Sequence, residues 1–108
     1  MSNNFSQVET LGQIIKSKRE KKGLLLRHVA AYLDIDQAIL SKIEKGDRKP
    51  TRDNLTKLSE ILEMDRVDLL VQYFSEKIAY EIADEDCASQ VLKVAEKRVQ
   101  FIKAQNKK

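Results

Sequence analysis

Between Leu11 and Ile102 the apolar residues recur at steps of three and four, the spacing that lines one face of an α-helix. The pattern breaks in a few places, and the residues there are ones that start or stop helices. A first helix is predicted over Leu11–Lys22, with Leu11, Ile14, Ile15 and the stem of Lys18 on its inner face. Thr10 and Gln13 make a T-x-x-Q capping box before it, and Gly23 stands just past its end. A second, short helix over Arg27–Leu33 places Val29, Ala30 and Leu33 on one side, and Asp34-Ile35-Asp36 makes a turn. A third helix, Gln37–Lys45, follows. Asp36 suits its N-cap, because the carboxylate can accept an orphan backbone N–H, and Ile35 with Leu40 forms a hydrophobic staple. Gly46 and Pro50 end that helix, and Thr51 caps a fourth over Arg52–Glu63 with Leu55, Leu58, Ile61 and Leu62 inward. Asp65 caps a fifth, with Met64 and Leu69 as its staple. Its pattern of Leu69, Leu70, Tyr73, Phe74, Ile78 and Ile82 continues to Ala83. Asp84-Glu85-Asp86 reads as an acidic start, favourable to the helix dipole, for a last helix over Glu85–Ala104. The polar segment Met1–Val8 is expected to be loose and Gln105–Lys108 to fray.

The second and third helices, joined by so short a turn, have the helix-turn-helix arrangement. On the third, at about 100° per residue, Leu40 and Ile43 share a face with Glu44 and Asp36. Ala38, Ser41, Lys42 and Lys45 fall opposite, with Gln37 and Ile39 between. The outer strip is the candidate base-reading surface. Gln37 can pair bidentately with adenine N6 and N7, Lys42 can reach guanine or a phosphate, and Ser41 can do either. Ala38 and Ile39 can pack on thymine methyls. The competing reading makes Ala38 a mere helix former and Ile39 a rim of the core.

LGQIIKSKREKKGL, HVAAYLDIDQAILSKIEKGDRKP, LTKLSEILEM and DLL together resemble the lambda-repressor-like, Xre/Cro-type DNA-binding family over Leu11–Leu70. The combination of R-x-x-K-G-L, S-x-I-E-x-G and the trailing R-x-P carries the resemblance. It implies a five-helix domain that binds DNA as a dimer and regulates transcription. It also implies that Arg19 pairs with Glu44, clamping the first helix to the third, and that the loop holding Lys45, Arg48, Lys49 and Arg52 rides along phosphates. The family usually begins its second helix with Ser or Thr followed by Gln, which hold a phosphate. Here Leu24-Leu25-Leu26 stands instead, so an N-cap and an anchoring contact are lost, and Arg27 is the nearest replacement for a phosphate. His28 reads as a surface residue. Asp34 occupies the turn position usually held by Gly and tolerates a left-handed backbone better than most residues.

Composition narrows the choice further. With one Pro and three Gly in 108 residues there is little room for turn-rich β structure. A mean hydropathy of −0.49 fits a soluble globular protein. Net charge is only +3, but residues 1–66 hold 13 basic and 10 acidic groups while 67–108 hold 7 of each, so the excess lies with the helix-turn-helix. Solvation of helix faces is the bland account of the same charges. One Cys excludes an intrachain disulfide and a Cys-type zinc site, and Cys87 reads as a small residue near a helix start. No apolar run approaches the roughly 20 residues a membrane helix needs, and Met1–Thr10 lacks the features of a signal peptide, so a cytoplasmic location is expected. There is no nucleophilic triad, phosphate loop or metal cluster. The chain is therefore read as a non-enzyme without cofactor, metal or inferred small-molecule ligand.

In the last helix Leu92, Ala95, Val99 and Ile102 continue a near-heptad stripe from Ala88, widened by Val91, Val94 and Phe101. With the preceding helix it is expected to form an antiparallel hairpin whose stripe also buries a dimer partner; the competing reading packs the stripe back on the first domain. The expected architecture is all-α: a helix-turn-helix DNA-binding domain over 9–70 and a helical dimerisation element over 71–104. The expected function is a transcriptional regulator that reads a palindrome in double-stranded DNA as a homodimer, with helix 37–45 in the major groove. A restriction–modification controller or an antitoxin is the variant of that reading, and a protein-binding anti-repressor is the alternative of another class.

Overall fold

Aliphatic side chains from five helices meet in one core, with Ile15, Val29, Leu40, Leu55, Leu58, Leu62 and Leu69 wholly buried. A computed structural model describes residues 8–107, so the expectation for Met1–Gln7, and that for Lys108, lies outside the described residues. The helices are α1 (Leu11–Lys21), α2 (Leu26–Leu33), α3 (Gln37–Lys45), α4 (Arg52–Ile61), α5 (Arg66–Ile82) and α6 (Ala88–Gln105). They divide into two units, one ending at Glu76 and one beginning at Lys77.

In the first unit, α3 packs on α1 and on α2, and α2 packs on α4. Helices of eight to eleven residues are unstable alone, so their persistence rests on this packing. Each fully buried Leu or Ile contributes about 1.5–3 kcal/mol. The Thr10–Gln13 capping box is present at α1, and the Leu11 N–H also donates to Glu76 Oε2 at 3.2 Å. Thr51 caps α4 in a second box completed by Asn54, which the sequence pattern alone does not single out. Asp65 Oδ1 accepts from the N–H groups of Val67 and Asp68 at the start of α5. Asp36 stands at the N-cap of α3 with extended backbone, but its carboxylate makes no cap hydrogen bond. The helix start is set there by the backbone turn and by the packing of Ile35 on the core.

Asp34 closes α2 with φ 58°, in the left-handed region. A non-glycine residue carries strain there that Gly lacks. Asp34→Gly should therefore raise the unfolding free energy by about 0.5–1 kcal/mol, read as a higher urea midpoint at unchanged slope. A lower midpoint would mean that the carboxylate contributes more than the backbone strain costs.

In the second unit, α5 ends at Ile82 and α6 begins at Ala88, so Asp84–Asp86 belong to the connection rather than to the first turn of α6. Cys87 takes the N-cap position without a side-chain hydrogen bond. No residue of α6 is buried, and Leu92, Val99 and Ile102 are half exposed. At its other end α6 continues through Gln105, where the Asn106 N–H donates to the carbonyls of Ala104 and Ile102.

Candidate nucleic-acid interface

The helix α3 is held from behind. Leu40, Ile43 and Glu44 are buried, and Ile39 packs against the core, which makes it a rim residue rather than part of the outer strip. Gln37, Ala38 and Lys42 are exposed and Ser41 is half-buried, all on the side away from that packing. The nine-residue helix thus offers an amide, a hydroxyl and an ammonium from a rigid backbone.

Two contacts set its position against α1. Arg19 donates through Nε to Glu44 Oε2 at 2.8 Å and through Nη2 to Glu44 Oε1 at 3.1 Å, a fork-to-fork pair. Its remaining nitrogen, Nη1, donates to the Leu24 carbonyl at 3.0 Å, so one guanidinium ties α1, α3 and the loop before α2. The hydrogen bond to Glu44 holds the Arg19 pKa above its ordinary value, against the opposing effect of burial. The second contact is an absence of atoms. A Cβ on Gly12 would lie 2.4 Å from the Glu44 carbonyl oxygen and 2.5 Å from that of Ile43. The backbones of α1 and α3 approach so closely that only glycine fits.

The connection after α3 is pinned at both ends. Gly46 turns it with φ 85°, the Asp47 N–H donates to the Lys42 carbonyl at 2.8 Å, and Pro50 is buried. Arg48 and Lys49 are exposed between those anchors, Lys45 is exposed on the last turn of α3, and Arg27 is exposed on the first turn of α2. None of these four has an ion-pair partner among the described residues. Arg52 differs. It opens α4, and its guanidinium lies over the Phe74 ring at 5.5 Å, a cation–π contact that draws it toward α5. The start of α2 carries no side-chain cap: Leu25 occupies the N-cap and is 46% exposed, while Leu24 and Leu26 pack on the core.

Gly12, Asn54 and Glu76 escape a reading of the sequence. The one available signal is the isolated glycine within a helical apolar pattern, which marks a close approach without saying to what. Elsewhere, among the described residues, no group of His, Cys, Asp or Glu is placed to hold a metal ion, and no helix is long and apolar enough to cross a membrane.

Residues 15–69 match the family model described as helix-turn-helix (HTH_3). Among solved structures, the N-terminal DNA-binding domain of SinR from Bacillus subtilis is 33% identical. The alignment covers 56% of this chain and 88% of that one, with a TM-score of 0.51. A SinR protein/SinI protein complex aligns over 88% of this chain and 99% of that chain, with a TM-score of 0.53 and 22% identity, which is a likeness of fold. No curated protein matches the chain.

Proposed function

The chain belongs to the helix-turn-helix family of DNA-binding regulators, of lambda-repressor-like type, and from that premise we propose that it reads a palindromic operator as a homodimer with α3 in the major groove. The observation that carries this reading is the division of α3 into a buried back and an outward strip of Gln37, Ala38, Ser41 and Lys42, flanked by the exposed Arg48 and Lys49. Gln37 faces an adenine edge, Lys42 a guanine edge or phosphate, Ser41 either, and Ala38 a thymine methyl. Arg27, Lys45, Arg48 and Lys49 take phosphates, and the uncapped first turn of α2 presents backbone N–H groups to the same anion as Arg27. Arg52, exposed at the start of α4 with its guanidinium over Phe74, is the fifth phosphate contact. The dimer forms through Leu92, Ala95, Val99 and Ile102 of α6, and the exposure of Leu92, Val99 and Ile102 in a single chain supports an interface there.

Binding to random duplex across a salt series tests the premise. Affinity should fall steeply, with log K against log salt losing about 0.9 per phosphate contacted. The exposed Leu25 favours a second reading, in which this surface binds protein, and a binding curve indifferent to salt would select it. Selection of fragments from a random DNA pool should return sites with two-fold symmetry.

Two substitutions separate the roles. Gln37→Ala should relax preference at one base position, at a cost of about 1–3 kcal/mol for the preferred site. Arg48→Ala should weaken every duplex alike and reduce the salt slope by about one. A uniform loss from Gln37→Ala would remove it from base reading, and unchanged binding of Arg48→Ala would take the loop out of the interface.

A further inference from the structure

The apolar residues of α6 cover about half its circumference, from Phe101 round through Ala95 to Leu92. Within this arc lies a groove of about 400 Å³ whose lining includes Cys87, Val91, Val94 and Arg98. Phe101 is 64% exposed and Val94 50%. A surface of this kind is rare on a protein that works alone. The sequence of α6 also bears on what covers it, because its two ends carry opposite charge. Asp84, Glu85 and Asp86 precede the helix, while Lys103 and Lys107 lie in its last turn and just beyond.

Resting on the two-fold reading above, we propose that the occupant of this face is α6 of a second copy, running antiparallel and crossing at Ala95. Reversal about Ala95 sets Ala88 against Ile102 and brings Leu92 beside Val99, so the stripe is complementary to itself. Ala95, the small and partly buried residue, falls where the two helices come closest. The same reversal lays each acidic end against the other copy's basic end, and it opposes the two helix dipoles. A parallel pair would stack three carboxylates on three carboxylates and cations on cations. The groove along Val91 and Val94 then receives Phe101 of the second copy.

Cys87 makes the arrangement measurable, because it is exposed and is the only cysteine. In the antiparallel pair the two Cys87 thiols stand about 24 Å apart, at about 1.5 Å per residue from the crossing. In a parallel pair they are adjacent. The experiment treats the full chain, at a concentration where sedimentation gives a dimer mass, with a short bismaleimide matched to the about 8–10 Å between packed helix axes. The wild type should remain uncrosslinked on a denaturing gel, and Cys87→Ser/Ala95→Cys should convert to a covalent dimer. Lys103→Cys, with Cys87 retained, should also crosslink, through position 87 of one copy and 103 of the other. It keeps the test open should the change at Ala95 disturb the crossing. A dimer crosslinked through Cys87 alone overturns the orientation while leaving the dimer intact. A dimer that crosslinks in none of the three proteins removes α6 from the interface. A monomer mass for the wild type overturns both the inference and the two-fold reading.

Discussion

Gly12→Ala is expected to lower the unfolding free energy by about 3 kcal/mol or more, although alanine is the better helix former. Helix propensity alone predicts the opposite, a gain of about 0.5–1 kcal/mol. The sign is decided by the carbonyl oxygens of Ile43 and Glu44, which a methyl at position 12 would meet at 2.5 and 2.4 Å. Both are backbone atoms of a helix and cannot turn aside as a flexible side chain could. The clash is relieved only by moving α1 and α3 apart, and that opens the core around Ile15 and Leu40, both fully buried. A domain of this size has only a few kcal/mol of total stability, so much of the protein should be unfolded at 37 °C. Urea unfolding followed by circular dichroism reads the change. The surviving folded fraction should bind duplex more weakly, because displacement of α3 misplaces Gln37 and Lys42. Wild-type stability in Gly12→Ala would mean that the two helices are not in backbone contact.

The second large effect is expected at Arg19. Arg19→Met should destabilise by about 3–5 kcal/mol, since it leaves the carboxylate of Glu44 buried without its two donors. The Glu44 side chain is 5% exposed and that of Arg19 11%, so water cannot replace either partner freely. The loss should exceed that of Glu44→Gln, whose amide oxygen can still accept one hydrogen bond from the guanidinium. Arg19→Lys should fall between, because an ammonium cannot serve both carboxylate oxygens and the Leu24 carbonyl in the planar geometry of the fork. The double variant Arg19→Met/Glu44→Leu should recover most of the stability, since no charge is then left unpaired. Failure of the double variant to recover would assign the loss to packing of the Arg19 stem rather than to the orphaned carboxylate. The Arg19 pKa is raised by this pairing, so the stabilisation is fully present below the ordinary arginine value and is lost only as pH climbs through the raised one. No weakening of the clamp through deprotonation of Arg19 is expected at physiological pH.

The helices were legible because what makes them is local. Leu55, Leu58 and Leu62 declare an inner face by their spacing, and all three are buried. Thr10 with Gln13 declares a helix start from four consecutive residues, and the two hydrogen bonds are present. Asp36 was a weaker signal, since a good capping residue does not have to use its side chain once the turn is held by packing. The acidic run Asp84–Asp86 misled by three residues, because favourable charge near a helix start does not say which residue begins the helix. Leu24-Leu25-Leu26 reads as a departure from the family's phosphate-holding start. In the fold, two of these leucines serve the core and only Leu25 faces out.

By itself the sequence determined the all-helical class, the helix-turn-helix and the outward strip of α3. Each depends on residues within a few positions of one another, and helical periodicity converts their spacing directly into a shared face. Only the tertiary structure decided how closely α1 approaches α3, that Glu76 reaches the first turn of α1, and that the Arg52 guanidinium lies over Phe74. These contacts join residues 22 to 65 positions apart, and their distances are set by the whole core packing at once.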